Sequence, residues 1–471
     1  MSLKKLLSSR KQRFINGLAA RALRGRPFTA LPPFSFWSGH RSTLSGEGGE
    51  TGNPFSGSAF RTEFVPSSGE RIAFRVMLRD LTGIRGKLRL TLSSIDPDGK
   101  PGGEESIDVS IKRLAGRGGK VIVTWPAKAD YAYSLGGTLI GACDVDATSI
   151  EIGVHGLQDQ NSAHARLRQA RESFLEAPAP EDLEDIIVTT RASLEQPISQ
   201  MCTANQMEGA LFAELCAQLG MHPSRHRKQW EFVYILSALR YYGALRPGAR
   251  GLVFGVGMEM LPAHLASLGC EIVATDLPCG DDRAQLWQSS SQLSSSLRQL
   301  HHPALCAEAD FFARVSFRPV DMNAIPDDLT DFDFTWSSCA FEHLGSIEAG
   351  LRFYERALDC LKPGGIAVHT TELNLTSNNR TLDDSSTVLF RRRDFEDLAR
   401  RLIARKHEVM PITFDPGDGD LDQVIDMPPY ANDPHLKLAL LSWVTTSFGF
   451  ITRRAGIAAL PEKMSMDAYG K

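Results

Sequence analysis

The 471-residue chain contains no run of about 18 apolar residues, so it offers no candidate for a membrane-spanning helix. It has eight cysteines but no Cys-x-x-Cys pair. Cys143, Cys202, Cys216, Cys270, Cys279, Cys306, Cys339 and Cys360 are scattered, several of them in apolar stretches. That argues against a zinc site and for buried, reduced thiols of the kind a reducing cytoplasm preserves. A basic excess is also missing: 52 Lys+Arg against 56 Asp+Glu leave a net charge of -4, which speaks against bulk nucleic-acid binding. No internal repeat is present. Acids are absent before Glu47, while residues 1–26 carry Lys4, Lys5, Arg10, Lys11, Arg13, Arg21, Arg24 and Arg26. Charge interrupts every apolar stretch there, so a secretory signal is not expected. Leu6, Leu7, Phe14, Ile15, Leu18 and Leu23 would make an apolar stripe on a basic helix lying at the inner face of an anionic membrane; a solvated arm is the other reading.

What is present is an ordinary globular composition, 42% hydrophobic and 23% charged. At about 150 residues per domain, two or three domains are expected. Residues 1–54 read as the basic arm followed by a Gly/Pro/Ser-rich linker. Residues 55–156 alternate: Ile72, Phe74, Val76 and Leu78, then Leu88, Leu90 and Leu92, then Val121, Val123 and Trp125, then Ile150, Ile152 and Val154. A period of two with turn clusters between predicts a small antiparallel β-sandwich. Residues 157–224 predict a helical connector, with helices over 162–177 and 182–194 split by a Pro turn. From 225 to 456, short apolar strands alternate with helices, which predicts an α/β domain with a parallel, doubly wound, Rossmann-like sheet. Residues 457–471 form a tail.

The α/β domain carries the chemistry. Gly255 and Gly257 end its first strand in "LVFGVGMEML", where a glycine turn lets the backbone approach a ligand. Asp276, with Leu277 beside it, ends the second strand at a spacing suited to holding a ribose diol. The third glycine of a dinucleotide fingerprint would fall at Met260, which disfavours a hydride-transfer enzyme. Asp321-Met322-Asn323 follows the third strand; an acid there can accept from an adenine amine while the next backbone N–H serves a ring nitrogen. "WSSCAFEHL" follows the fourth strand, and "LKPGG" leads into the fifth.

With these five motifs in order, residues 225–455 resemble the class I S-adenosylmethionine-dependent methyltransferases. The resemblance implies S-adenosyl-L-methionine as cofactor. It places Gly255 and Gly257 under the methionine and ribose, Asp276 on the ribose hydroxyls, Asp321 and the Met322 amide on adenine, and Ser337 and Ser338 near the sulfonium. The family's usual third glycine is replaced by Met258 or Glu259.

Methyl transfer is chiefly a matter of positioning, and an alcohol acceptor must also lose a proton. His343 in "FEHL" is the candidate base; Glu342 and His343 as caps of the next helix are the alternative. Glu372 and His369 are rivals, His369 also reading as a buried strand residue. The connection 278–316, with Trp287, and the acidic stretch 414–435, with Tyr430, Asp415, Asp418, Asp420 and Asp422, are placed to meet an acceptor or to remain solvated loops. The basic "FRRRDF" at 390–395 would meet a phosphate or open a solvated helix. No metal constellation stands out. The reading that follows is a methyltransferase acting on a glycan or small-molecule acceptor, with sugar O-methylation in bacterial surface polysaccharide or glycolipid synthesis as the preferred substrate class. A small-metabolite methyltransferase and a non-catalytic glycan-binding scaffold are the alternatives.

Overall fold

A computed structural model describes residues 22–23, 25–31, 60–67, 71–96, 101–129, 131–155, 163–278, 296–426, 430, 433–440 and 443–456. Most of the amphipathic arm and of the linker, together with Trp287, Cys279 and the tail, lie outside the described residues. The chain divides into two compact units. The first runs to Phe174 and also takes in Asn374–Leu382 and Asp418–Thr446; the second holds Leu175–Leu373, Asp383–Gly417 and the chain from Ser447. No helix among the described residues is long and apolar enough to cross a membrane.

The first unit contains two antiparallel sheets. One orders the strands Thr29–Leu31, Ser149–Val154, Arg71–Arg79 and Lys120–Pro126. The other orders Phe60–Arg61, Ala132–Ile140, Lys87–Ile95 and Pro101–Ser110. Alternation drives the arrangement. Phe74, Val76 and Leu78 from one sheet and Leu88, Leu90 and Leu92 from the other enter a single apolar core, while Arg71, Arg79, Lys87 and Arg89 point to solvent.

The second unit is built on parallel strands β1 (Arg250–Val253), β2 (Glu271–Asp276), β3 (Val315–Pro319), β4 (Phe332–Ser338) and β5 (Leu361–Asn374). Strand β6 (Trp443–Arg453) contributes Ser447–Arg453 to this unit. The sheet order is β3-β2-β1-β4-β5-β6, with β1 through β5 pairing in parallel. Their burial on both faces explains the near-continuous apolar runs of the sequence. A side chain at Gly251 in β1 would strike the Phe334 ring at 2.4 Å, so glycine there lets β4 keep its aromatic face. The "KPGG" segment bulges between the pairs Phe332–Leu361 and Phe334–Ile366.

Seven α-helices among the described residues complete the unit: Ala204–Glu208 and Ala210–Gln218, then α1 (Arg227–Tyr241), α2 (Leu261–Ser267), α3 (Glu308–Arg314), α4 (Ile347–Asp359) and α5 (Arg392–Ala404). His226 caps α1 by accepting from the Lys228 N–H at 3.1 Å, and Ser346 caps α4 by accepting from the Ala349 N–H. The connector departs from expectation. Residues 163–170 are helical, but 182–194 are not a helix; only Glu181–Leu183 makes a 3₁₀ turn. The β-branched Ile186-Ile187-Val188 instead bonds to Ile412 through the backbone, Val188 N–H to Ile412 O at 2.9 Å and Ile412 N–H to Ile186 O at 2.7 Å. Tertiary pairing overrides a weak helical pattern there.

Candidate active site

The sheet order reverses between β1 and β4, and the loops leaving the carboxyl ends of neighbouring strands open a crevice at such a point. The first loop makes two left-handed steps, φ 61° at Gly255 and 52° at Gly257, with Val256 buried between them. A side chain at Gly255 would lie 2.7 Å from the Ala340 Cβ and 3.6 Å from the Met322 sulfur. The turn therefore touches both the chain leaving β3 and the chain leaving β4. The Gly257 N–H donates to Asp276 Oδ2 at 2.9 Å, and the Leu277 N–H donates to Oδ1 at 2.9 Å. Asp276 is only 7% exposed and clasps the glycine turn to the end of β2. Asp321 is half-buried and accepts from the Asn323 N–H through Oδ1 at 2.9 Å, which shapes the bend after β3. Gly255, Gly257, Asp276, Leu277, Asp321 and Met322 thus lie around one turn.

Ser337 and Ser338 part company. The Ser337 hydroxyl is fully buried and pairs with His369 Nδ1 at 2.8 Å, so it is not available to a ligand as expected above. Successive strand residues face opposite sides, so of two adjacent serines one enters the sheet core. Ser338 donates instead to Glu231 Oε2 at 2.9 Å. His369 is ringed by Phe341, Phe353 and Tyr354, and burial pushes its pKa down to about 3. That environment keeps it neutral and removes it as a base.

Glu231 belongs to a buried charge network that sequence reasoning missed. It projects from the first turns of α1 and accepts from Lys228 Nζ at 2.7 Å, Ser338 at 2.9 Å and Ser447 at 2.6 Å, with Arg227 at 3.5 Å. Burial acts to raise its pKa, but Lys228 and Arg227 overcome that and hold it at about 2. Arg227 also pairs with Glu372 at the end of β5 and donates to Ser447. The signal was legible in "RKQWE": two cations three and four residues before an acid on an otherwise apolar helix.

Beyond β4, Cys339 takes a left-handed conformation, φ 45°. Burial, reinforced by Glu231 and Glu342, pushes its thiol well above the usual range, so it stays protonated. Glu342 is buried and accepts from the Thr371 hydroxyl at 2.9 Å; burial raises its pKa against the pull of His343, and Glu372 raises it further. The donor atoms of Cys339, Glu342 and Glu372 lie within 4.8 Å of one another. The Arg227 guanidinium already supplies a positive charge at Glu372, so the group reads as a charge network rather than a metal centre.

His343 ends a 3₁₀ turn, Phe341–His343, with its side chain 25% exposed. Its Nδ1 lies 2.9 Å from the Ser386 carbonyl oxygen. A carbonyl only accepts, so that contact assigns the proton of a neutral ring to Nδ1 and leaves the lone pair on Nε2, 3.8 Å from Glu342 Oε1.

Part of the acidic stretch 414–435 is tied into local contacts. Asp415 ties a turn by accepting from the Gly417 N–H at 3.0 Å. Asp422 accepts from Gly419 and lies beside the buried Lys437, while Tyr430 donates to the Ala439 carbonyl. Asp418 and Asp420 are exposed. The basic run is structural: Arg391 pairs with Asp394, and buried Arg392 donates to the carbonyls of Leu175, Ala177 and Pro178.

No family model and no curated protein sequence matches this chain. Solved structures do resemble it. Magnesium protoporphyrin IX methyltransferase from Synechocystis PCC 6803, with bound SAH, is 10% identical over 48% of this chain and 83% of that one, with a TM-score of 0.31. Phosphoethanolamine N-methyltransferase 2 from Haemonchus contortus, in complex with S-adenosyl-L-methionine, is 14% identical over 69% and 64%, with a TM-score of 0.30. An S-adenosylmethionine-dependent methyltransferase from Mesorhizobium loti is 15% identical over 46% and 96%, with a TM-score of 0.27. At these identities and scores the likenesses do not bear on chemistry, which rests on the chain's own geometry.

Proposed function

We propose that the second unit is an S-adenosyl-L-methionine-dependent methyltransferase. One observation carries the reading: the Gly255–Gly257 turn at the sheet's switch point is clasped by Asp276 and packed against Met322 and Ala340. That arrangement supports a nucleoside held between Asp276 on the ribose side and Asp321 with the Met322 amide on the base side. Ser338 and the Glu231 network border the same strand ends. The cofactor, when bound, supplies an electrophilic methyl group on a sulfonium. His343 Nε2 takes the proton of an alcohol acceptor as its oxygen is methylated, while the Nδ1 contact with Ser386 holds the ring.

The finer proposal is that the acceptor is a sugar hydroxyl in surface polysaccharide or glycolipid synthesis, at the cytoplasmic face of the membrane, with the β-sandwich unit assisting glycan binding. A small cationic amine is the second reading, favoured by the buried acid Glu342 beside His343. Titration with S-adenosylmethionine tests the first step: Asp276→Asn weakens binding at least about tenfold, a loss of about 1.4 kcal/mol. Binding unchanged in that variant removes the proposal. An acceptor screen of glycans against small amines, read as the mass of one added methyl group, separates the two substrate classes.

A further inference from the structure

Glu259 follows the glycine turn by two residues, where a third small residue would leave open space. It is 4% exposed, and its Oε1 accepts from the Trp336 indole N–H at 2.7 Å. Trp336 is itself fully buried in β4, so this bond ties the turn after β1 to the neighbouring strand. The charged groups that act on Glu259 come from two elements: Lys228 and Glu231 from α1, and Asp276 from the end of β2. Among the described residues no basic side chain forms an ion pair with it.

Three other carboxylates here, Asp276, Glu231 and Glu372, are already compensated, and the buried Glu342 is held by the Thr371 hydroxyl with His343 Nε2 at 3.8 Å. Both oxygens of Asp276 accept backbone N–H groups. Glu231 is balanced by Lys228 and Arg227, and Glu372 by Arg227. Glu259 has only an indole donor. Burial pushes its pKa up to about 8, against the pull of Trp336 and Lys228 and with reinforcement from Glu231 and Asp276. At neutral pH it is mostly a carboxylic acid.

We propose that Glu259 is the counter-ion for the cationic, sulfonium-and-ammonium end of the cofactor, and that it gives up its proton to bulk solvent as the cofactor binds. This rests on the methyltransferase reading above. The step breaks one carboxyl O–H bond; the proton leaves to buffer and the carboxylate remains paired with the ligand's positive charge. A glycine at this position would offer no such charge, so the residue that breaks the usual glycine pattern is the one that recognises the ligand.

Calorimetry of the full chain with S-adenosylmethionine at pH 7, in phosphate and in Tris, measures the proton directly. Wild type is expected to release nearly one proton, and Glu259→Gln to release less by that amount. With a pKa of about 8, roughly one-hundredth of Glu259 is ionised at pH 6 and roughly one-tenth at pH 7, an interval over which the ligand's α-ammonium stays largely charged. Wild-type affinity therefore gains about tenfold over that interval relative to Glu259→Gln. Trp336→Phe removes the stabilising donor and moves the wild-type dependence to higher pH, which provides a test if Glu259→Gln does not fold. Binding with no proton release by wild type, or equal release by Glu259→Gln, overturns the role of Glu259 and leaves the cofactor reading intact. No binding at any pH removes both.

Discussion

Replacing Glu231 with glutamine tests the charge network quantitatively. The side chain keeps its shape but loses its charge, leaving the mostly buried Arg227 and the half-exposed Lys228 without that partner. A folded pKa of about 2 against 4.5 in an unfolded chain corresponds to about 3 kcal/mol of stability. Removal of one member of a buried ion pair costs about 3–5 kcal/mol in general. The lower end is expected here, because Arg227 keeps Glu372 and Lys228 can extend into water. The sign follows from the depressed pKa. The contribution is fully present above about pH 4.5 and is lost as pH falls toward 2. Urea unfolding followed by intrinsic fluorescence at pH 7 should therefore show Glu231→Gln destabilised by about 3 kcal/mol, with the gap narrowing below pH 4.5. Glu214→Gln is the control: its partner Arg240 lies 3.3 Å away with both side chains more than half exposed, and its loss should cost less than about 1 kcal/mol. A Glu231→Gln change below about 1 kcal/mol, or a gap that widens on acidification, would show that the network is not what holds α1 to the strand ends.

Other expectations are equally direct. His343→Asn should lower turnover by about 10²–10⁴-fold while S-adenosylmethionine affinity stays within about twofold, as single-turnover kinetics and calorimetry would show. Gly255→Ala places a methyl group 2.7 Å from the Ala340 Cβ at a left-handed φ, which costs at least about 1 kcal/mol, and should weaken cofactor binding; Ala340→Gly in the same chain should recover part of the loss. His369 is held neutral by burial, with its pKa at about 3 against 6.5 unfolded. Stability should fall as pH drops from about 6.5 toward 3, and His369→Phe should flatten that slope in acid unfolding curves.

The sequence alone determined the α/β order of the second unit and the two-sheet character of the first. Both rest on local periodicity: continuous apolar runs for buried parallel strands, alternation for strands with one wet face. It also marked the residues around the glycine turn, because a doubly wound sheet brings the ends of successive strands to one edge whatever the intervening helices contain. Tertiary structure decided what periodicity does not encode. Residues 182–194 surrendered a weak helical pattern to pairing with Ile412. Ser337 and Ser338, adjacent and identical, were separated by the pleat into a core hydroxyl and a partner of Glu231. Arg392, in a run that reads as a surface patch, is buried on three carbonyls. Arg227, Lys228, Glu231, Glu342 and Glu372 come from three distant segments, and Glu259 acquires its chemistry only from the indole and the low-dielectric surroundings the fold places around it. Charge compensation is a property of three-dimensional neighbours, so it is the part of a site that a linear reading leaves out.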